Sequence, residues 1–255
     1  MLKFKQIIVK EPGKSVVHGL TTANLGQPDY DKAILQHREY IRVLQSCGVE
    51  VKILPPDEDY PDSCFVEDPA VVTEKMAIIT NPGAPSRNGE TIAIKRALEE
   101  FFDIFEYIRA PGTLEGGDVM RVENHFYIGL SNRTNAAGAN QFINIVSQYG
   151  FEGSVVPLKK MLLLKTGVNY IGDNTLLVAG EFIEHPQFCE FNQIVVDEDE
   201  MYAANCIRIN DYVVMPAGFP KTEAKLVEAG FLIKKVHMSE FQKIDGGLSC
   251  LSLRF

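Results

Sequence analysis

The sequence lacks a positive net charge, a long hydrophobic run and paired cysteines, and each of these absences excludes a class of protein. Its net charge of -9 at pH 7 argues against nucleic-acid binding, because contact with phosphates needs a basic surface. No apolar run reaches the ~18 residues of a membrane-spanning helix, and Lys3, Lys5 and Lys10 interrupt the stretch where a signal peptide would be apolar. The five cysteines form no C-x-x-C pair, so we expect neither a zinc site nor a disulfide framework. These absences predict a cytoplasmic protein with reduced thiols.

The chain is long enough to bury a substantial hydrophobic core. Its 255 residues include 45% hydrophobic and 23% charged residues, which is ordinary for a globular protein. This length suits one large domain or two small ones. The excess of acidic residues is compatible with a small cationic substrate.

A hairpin-like unit recurs along the chain. Each unit has two short apolar runs on either side of an Asn, Asp or Glu turn, which is the chemistry of two-residue β-turns. The turns lie about 40 to 50 residues apart, a period typical of stacked or radially arranged units. The units span residues 71–80, 119–128, 168–178 and 206–215. Helices are predicted over 31–46, 91–102, 135–149 and 222–229.

The two ends of the chain complete this pattern. Residues 4–9 and 251–255 both alternate like strands. Counted together as one shared unit, they bring the number of units to five. We therefore predict an α/β fold of five ββαβ modules around a central axis, with the functional site where the modules meet. An ordinary mixed α/β sheet is the alternative.

A cysteine near the C-terminus is the candidate nucleophile. Cys250 follows Gly246 and Gly247 and precedes a strand-like run. Paired glycines permit a sharp turn or a close approach of the backbone to another group. A thiol behind such a turn is well placed to attack a bound substrate. The alternative is a small buried hydrophobic residue, which is the usual role of an isolated cysteine.

Acidic residues stand beside the starts of two predicted strands. The residues concerned are Asp62, Glu67 and Asp68, which surround Phe65, and Glu115, which directly precedes two glycines. Such carboxylates suit a guanidinium or ammonium ligand, because paired, charge-assisted contacts are strong. The alternatives are a solvated acidic loop for the first group and a tight turn for the second.

Two arginines occupy loops of the same kind. Arg87 lies in a Pro- and Gly-containing loop, and Arg133 stands beside a predicted helix start at Thr134 or Asn135. Arginines and acids together suit a zwitterionic amino acid, with acids for its cationic end and arginines for its carboxylate. The alternative for Arg133 is a solvated side chain in a helix-capping motif.

Together these motifs resemble the dimethylarginine dimethylaminohydrolases (dimethylargininases) of the guanidino-group-modifying, arginine-deiminase-like superfamily. The resemblance covers essentially the whole chain and rests on the order and spacing of five motifs: residues 62–68, 114–118, 131–135, 164–167 and 245–250. It implies a single domain over residues 1–255, folded as a five-bladed pseudosymmetric α/β propeller of the pentein type. It also implies hydrolysis of asymmetric dimethylarginine to citrulline and dimethylamine through a thiouronium intermediate, without metal or organic cofactor. Its relatives are often dimeric, so a homodimer is a further expectation.

The resemblance assigns a role to each motif residue. Cys250 is the implied nucleophile, and Glu115 and Asp68 are implied to hydrogen-bond the guanidinium. Arg87 and Arg133 are implied to bind the α-carboxylate. Asp62 and Glu67 are implied to hold the α-amino end or the neighbouring loops, Leu20 to sit in a lid, Ile244 to contribute its backbone and Phe65 to line the substrate site.

One position departs from the family pattern. The family's catalytic His precedes Leu-Lys-Thr-Gly, and Leu163 occupies that place here. A leucine can neither protonate a departing amine nor activate water, so we expect impaired turnover. Among the five histidines, His18 borders the predicted lid and is the alternative proton carrier. Two further functions stay open: a non-catalytic binding protein for an arginine analogue, and a related hydrolase of another guanidino or ureido compound.

Overall fold

The computed structural model describes residues 3–255, and its strands and helices lie close to the predicted positions. The strands are β1 (Gln6–Lys10), β2 (Glu50–Leu54), β3 (Ala70–Val72), β4 (Ala77–Ile79), β5 (Phe105–Tyr107), β6 (Val119–Val122), β7 (His125–Leu130), β8 (Glu152–Pro157), β9 (Val168–Gly172), β10 (Thr175–Val178), β11 (Asn192–Val195), β12 (Ile207–Ile209), β13 (Tyr212–Pro216), β14 (Leu232–Val236) and β15 (Leu253–Arg254). The α-helices are α1 (Tyr30–Ser46), α2 (Glu90–Leu98), α3 (Ala136–Gln148), α4 (Leu164–Gly167), α5 (Pro220–Glu228) and α6 (Ser239–Gln242).

Helix α1 shows how local sequence sets these boundaries. The Asp29 side chain accepts a hydrogen bond of 3.0 Å from the backbone N–H of Lys32 and so caps the first turn. The buried face recurs at helical spacing and includes Tyr40, Ile41 and Leu44. Gly48, just beyond the end, has a φ of 83°, a left-handed conformation that glycine adopts readily.

The described residues form five three-stranded sheets, which confirms the prediction of five modules. In each sheet the first two strands are antiparallel and the third runs parallel to the second, as in β3-β4-β5. Helices α2, α3 and α5 provide the crossover to the third strand in three modules. In the sheet β9-β10-β11, two single 3-10 turns at Gly180–Phe182 and Pro186–Phe188 replace the helix.

The first module is shared between the two ends of the chain, as predicted. Strand β15 pairs antiparallel with β1, with Ile7 opposite Arg254, and β1 pairs parallel with β2. The C-terminal strand therefore completes the first sheet and closes the ring. It also fixes the position of Cys250, which lies three residues before β15.

The inner strand of each module faces its neighbours around the axis. These inner strands are β15, β3, β6, β9 and β12, and β9 contacts both β6 and β12. Buried side chains fill the space between modules, and one such cluster joins Met76 and Ile78 of the second sheet to Phe126 and Phe142 of the next module. The loops at one end of the inner strands therefore converge on a single place.

Over residues 3–255, no helix combines the length and the apolar character that crossing a membrane requires.

Candidate active site

Cys250 lies in a 3-10 turn, Ser249–Leu251, that leads into β15. Its side chain is buried, with 8% of the residue exposed. The preceding glycines allow close packing: a Cβ on Gly246 would lie 2.3 Å from the Phe65 ring, and one on Gly247 would lie 2.4 Å from the Asn205 side chain. The paired glycines therefore serve close approach of the backbone, one of the two uses predicted for them.

Two buried carboxylates lie on the loops that precede β3 and β6. Asp68 accepts hydrogen bonds from Arg87 Nη1 at 2.6 Å and from the Gly117 backbone N–H at 2.9 Å. Glu115 accepts from the Ala84 backbone N–H at 3.2 Å and from Arg133 Nη1 at 3.3 Å. Burial, reinforced by the nearby Asp68 carboxylate, raises the pKa of Glu115.

The two predicted arginines differ in how they are held. Arg87 is buried, and its guanidinium contacts Asp68, Glu90 and the carbonyl oxygens of Asp62 and Phe65. The Arg133 side chain is 22% exposed, and its guanidinium makes an ion pair with Glu115. Arg87 is thus fixed within the protein, whereas Arg133 has donors that can face a ligand.

Two adjoining cavities meet at Cys250. The first, the carboxylate cavity, has a volume of about 150 Å³ and is lined by Leu20, Thr21, Asp62, Phe65, Asp68, Arg87, Glu115, Arg133, Ile244 and Gly246. The second, the leucine cavity, has a volume of about 280 Å³ and is lined mainly by Ala23, Leu25, Lys165, Tyr202, Asn205 and Ser249. Both are also lined by Thr22, Leu162, Leu163, Asp245 and Cys250. The predicted site residues therefore converge on one place, with the exception of Glu67.

Glu67 lies outside both cavities and has other partners. Its carboxylate pairs with Lys165 at 2.5 Å and Arg254 at 2.6 Å, and it accepts a hydrogen bond of 2.7 Å from Ser249 Oγ. Of the two roles predicted for Glu67, holding neighbouring segments agrees with these contacts, and direct contact with a substrate does not. The sequence motif cannot distinguish Glu67 from Asp68, because adjacent residues of a turn point in different directions.

A loop at residues 20–25, the lid, lies at the carboxylate cavity and is held by two aspartates. The Asp62 carboxylate accepts the Leu20 backbone N–H at 3.0 Å. The Asp245 carboxylate accepts both the backbone N–H of Thr22 at 2.6 Å and its hydroxyl at 3.0 Å. Asp245 was not predicted as a site residue, although the Asp-Gly-Gly motif is a signal for it. The φ of Asp245 is 57°, a left-handed conformation that Asp tolerates better than most residues.

Leu163 lies beside Cys250 at the junction of the two cavities and is 8% exposed. It directly precedes α4, whose first residue, Leu164, donates its backbone N–H to Asp118 at 2.9 Å. Burial raises the pKa of Asp118 to about 7. A Cβ on Gly117 would lie 2.5 Å from Leu163 Cδ1 and 2.9 Å from Asp68 Oδ1, so the side chain at position 163 reaches close to the Asp68 carboxylate.

No histidine lines either cavity in the part of the chain that the structure describes. His18 is exposed near the lid, and His37 is buried in α1 against Phe241. His125 contacts Ser154, His185 lies beside Phe188 and His237 contacts Glu39. Residues 3–255 also contain no group of three or more His, Cys, Asp or Glu side chains placed to hold a metal ion.

The surroundings of Cys250 disfavour its thiolate in the unliganded protein. Burial raises the pKa of Cys250 to about 12, and the Asp68 and Glu67 carboxylates contribute to this rise. A cationic guanidinium placed between Cys250 and the carboxylates would act in the opposite direction.

Comparisons with known proteins place the chain in a family. The model of the family described as N,N dimethylarginine dimethylhydrolase, eukaryotic, matches residues 26–247. The N(G),N(G)-dimethylarginine dimethylaminohydrolase of Pseudomonas aeruginosa is 54% identical over 253 residues, which is 99% of this chain and 100% of that protein.

Solved structures agree with this relationship. A cysteine-to-serine variant of the Pseudomonas aeruginosa protein, complexed with citrulline, matches with a TM-score of 0.99 and 53% identity over 100% of both chains. A histidine-to-glycine variant of dimethylarginine dimethylaminohydrolase, in an adduct with S-methyl-L-thiocitrulline, matches with a TM-score of 0.98 and 54% identity over 99% of this chain and 100% of that one. The predicted α/β propeller is thereby confirmed. The chain belongs to the dimethylarginine dimethylaminohydrolase family and has the fold of a dimethylargininase-type hydrolase.

Proposed function

We propose that this chain hydrolyses asymmetric dimethylarginine to citrulline and dimethylamine through Cys250, and that Leu163 makes this turnover slow. The observation that carries the proposal is the convergence of Cys250, Asp68, Glu115 and Arg133 on one cavity. A thiol, two carboxylates and an arginine with ligand-facing donors are the groups that an N-methylated arginine requires.

The carboxylate cavity orients the substrate from both ends. Asp68 and Glu115 accept hydrogen bonds from the guanidinium nitrogens and so hold its carbon against Cys250 Sγ. Arg133 binds the α-carboxylate, and Arg87 holds the Asp68 carboxylate in place through a contact of 2.6 Å. The lid, with Leu20 held by Asp62, excludes water, and Ile244 contributes its carbonyl to the α-amino end.

The bound cation also activates the nucleophile. The substrate's positive charge offsets the carboxylates that raise the pKa of Cys250, so the thiol loses its proton most readily when substrate is present. The thiolate, its proton lost to water, then forms a bond to the guanidinium carbon while the C=N π electrons move to nitrogen, which gives a tetrahedral adduct.

Completion of the reaction requires a proton carrier beside Cys250. The adduct collapses productively when the C–N bond breaks and dimethylamine leaves with an added proton, because an amide-like anion is a very poor leaving group. Water must then lose a proton as it attacks the carbon of the resulting thiouronium, after which the C–S bond breaks, citrulline is released and the Cys250 thiolate is regenerated. Leu163 can do neither, and loss of general acid-base catalysis typically lowers the rate ~10²–10⁴-fold.

A second candidate function is a binding protein for an arginine analogue. The absence of a histidine from the cavities of the described chain favours this alternative. A related hydrolase of another guanidino or ureido compound remains the third hypothesis, because the acids of the carboxylate cavity would hold any guanidinium.

A substrate panel tests the proposal and separates these functions. Asymmetric dimethylarginine, monomethylarginine, arginine and an alkylguanidine would be compared by calorimetry for binding and by a colorimetric assay of the ureido product (citrulline, or an alkylurea from the alkylguanidine) for turnover. We expect binding of the methylated arginines and slow citrulline release, abolished by Cys250→Ser. Binding with no citrulline above that of the serine variant would favour the binding protein, and absence of methylarginine binding would contradict the proposal.

We also propose a single domain, a homodimer and a cytoplasmic location. The closure of the ring by both chain ends supports a single domain. The five cysteines are all unpaired, which supports a reducing compartment. The homodimer rests on the family resemblance alone, and light scattering of the purified protein tests it.

A further inference from the structure

A buried ion cluster lies directly beneath Cys250, and the proposed reaction does not use it. Lys165 Nζ lies 2.5 Å from Glu67 Oε1, and Arg254 Nη2 lies 2.6 Å from the same oxygen. Lys165 and Glu67 are 8% and 4% exposed. Two cations thus share one carboxylate, so the cluster carries a surplus positive charge in a place where water screens it poorly.

The backbone and side chains of this cluster are tied to the turn that carries Cys250. Glu67 donates its backbone N–H to the Cys250 carbonyl at 3.2 Å, and its carboxylate accepts the Ser249 hydroxyl at 2.7 Å. The Asn205 side chain donates to the Lys165 carbonyl at 2.9 Å and accepts the Ser249 backbone N–H at 2.8 Å. Lys165 and Cys250 are therefore held in a fixed mutual position by a fully buried network.

Lys165 also lies between two cavities. It lines the leucine cavity together with Cys250. It also lines a third cavity, the axial cavity, which has a volume of about 240 Å³ and is bounded by residues of the inner strands β3, β6, β9, β12 and β15. Ser249 is common to both, so the ion cluster separates the axial cavity from the nucleophile.

The other charged groups around Cys250 are negatively charged or already form ion pairs with other residues. They are Asp62, Asp68, Glu115 and Asp245, the arginines Arg87 and Arg133, and beneath the turn Glu67 and Arg254, with the hydroxyls of Tyr40 and Tyr202 close by. Arg87 pairs with Asp68 and Glu90, and Arg133 pairs with Glu115. Among the residues that line the leucine cavity, Lys165 is the one cation.

We propose that Lys165 is a positioning residue whose charge stabilises the Cys250 thiolate, and that Glu67 limits how much of this charge reaches the sulfur. The inference deepens the proposed function, because it concerns the same nucleophile and assumes that Cys250 reacts as a thiolate. Lys165 opposes the rise in the pKa of Cys250 that burial and the carboxylates cause. No described histidine lines the site, so the groups of the protein that favour the reactive form of the thiol are the Gly247 backbone N–H and this fixed cation.

The pH dependence of Cys250 alkylation by iodoacetamide tests the proposal without substrate. Labelling of the Cys250 peptide would be followed by mass spectrometry, with the exposed Cys189 as an internal reference. In Lys165→Met the profile should move to higher pH by about one unit or more, because a nearby opposite charge typically shifts a pKa by about 1–3 units. Lys165→Arg should keep the profile of the parent, and Glu67→Gln should move it to lower pH.

Matched controls separate an electrostatic effect from loss of structure. Lys160→Met removes an exposed lysine five residues upstream in the same segment and should leave the profile unchanged. The buried thiols of Cys64 and Cys206 report unfolding, since they react only if the variant loses its structure. If Cys64 and Cys206 become reactive in Lys165→Met, that variant has lost its structure, and the pH profile of Glu67→Gln then tests the proposal in its place.

The proposal is overturned by an unchanged profile in a folded Lys165→Met variant, or by an Arg variant that shifts as far as the Met variant. Absence of the downward shift in Glu67→Gln would also overturn it. Because labelling needs no substrate, the inference and the proposed function fail separately: a chain that never releases citrulline can still show the predicted shifts.

Discussion

Arg87 and Arg133 both line the carboxylate cavity, but their surroundings give them different roles. Arg87 is enclosed by Asp68, Glu90 and two carbonyl oxygens, so it organises the acids. Arg133 is partly exposed and holds Glu115 through a contact of 3.3 Å. The resemblance gave both the same role, since a sequence motif does not reveal how many donors the fold already occupies.

Arg133→Ala tests this division of roles. It should weaken binding of methylarginine by about 1.5–3 kcal/mol, the range of a hydrogen bond to a charged group. It should have little effect on an alkylguanidine that lacks the α-carboxylate. Calorimetry with both ligands measures the difference, and Arg109→Ala, which removes an exposed arginine outside the cavities, is the matched control. Equal losses for the two ligands would mean that Arg133 does not bind the carboxylate.

His37 is the buried histidine of α1, and neither ring nitrogen has a hydrogen-bond partner. Burial lowers its pKa from 6.5 to about 4. Because the folded-state value is the lower one, the unfolded chain binds more protons, so His37 removes stability as the pH falls from about 6.5 towards 4. The full loss is about 3 kcal/mol, at 1.36 kcal/mol for each unit of pKa shift.

We therefore expect His37→Leu to flatten the pH dependence of the free energy of unfolding between pH 6.5 and 4. Urea titrations at several pH values on the parent and the variant measure this difference. At neutral pH the variant should be about as stable or more so, because an unpartnered polar group has been removed. The exposed His18→Gln serves as the control and should leave the slope unchanged; a slope equally steep in His37→Leu would contradict the assignment.

At the scale of the structural element, the lid is held by two carboxylates that come from two separate segments of the chain and line the carboxylate cavity. Asp62 precedes β3, whereas Asp245 lies directly before the glycines that lead to Cys250. Loop closure and the position of the nucleophile are thus coupled through a segment of six residues.

Asp245→Gly should loosen the lid, because it removes both bonds to Thr22 while glycine keeps the left-handed backbone without strain. We expect faster amide hydrogen exchange over residues 20–25 and a higher dissociation rate for methylarginine. Asp245→Asn retains an acceptor and should have a smaller effect. Unchanged exchange in the Gly variant would show that Asp62 alone holds the lid.

Strong local patterns made some elements predictable, and contacts distant in sequence decided the rest. The hairpin turns followed from residues such as Asp173 and Asn174, which both adopt a positive φ of about 53° and so form a two-residue turn. The bounds of the third strands, for example β5 with three half-buried residues, did not follow, because pairing with β4 fixes that strand. Helix α2 ends at Leu98 rather than at Phe102, since the Phe101 and Phe102 rings pack on Phe255.

At the scale of the whole molecule, ring closure assembles the site. Strand β15 brings Cys250 to the loops before β3 and β6, which are separated from it by more than half of the chain. The repeated unit predicted the ring and the place of the site at its axis. It could not predict that Glu67 would turn towards the axial cavity, because that depends on Lys165 and Arg254 from other modules.

The central claim is that the Leu163 side chain limits the rate at which this protein releases citrulline. Cys250, Asp68, Glu115 and Arg133 line the carboxylate cavity, and Leu163 lines both cavities at the place proposed for the proton carrier. Leucine and histidine are similar in size, so the fold should accept the exchange. A histidine there would lie near the Asp68 carboxylate, which can orient it.

The most direct measurement is citrulline release from asymmetric dimethylarginine by the parent chain and by Leu163→His, assayed side by side. The His variant should be at least ~100-fold faster, the lower range of general acid-base catalysis. Leu162→His, which places the same group at the neighbouring cavity position, should not gain this activity. If the parent already releases citrulline as fast as Leu163→His, the claim is wrong and another residue, with His18 first to be tested, carries the proton.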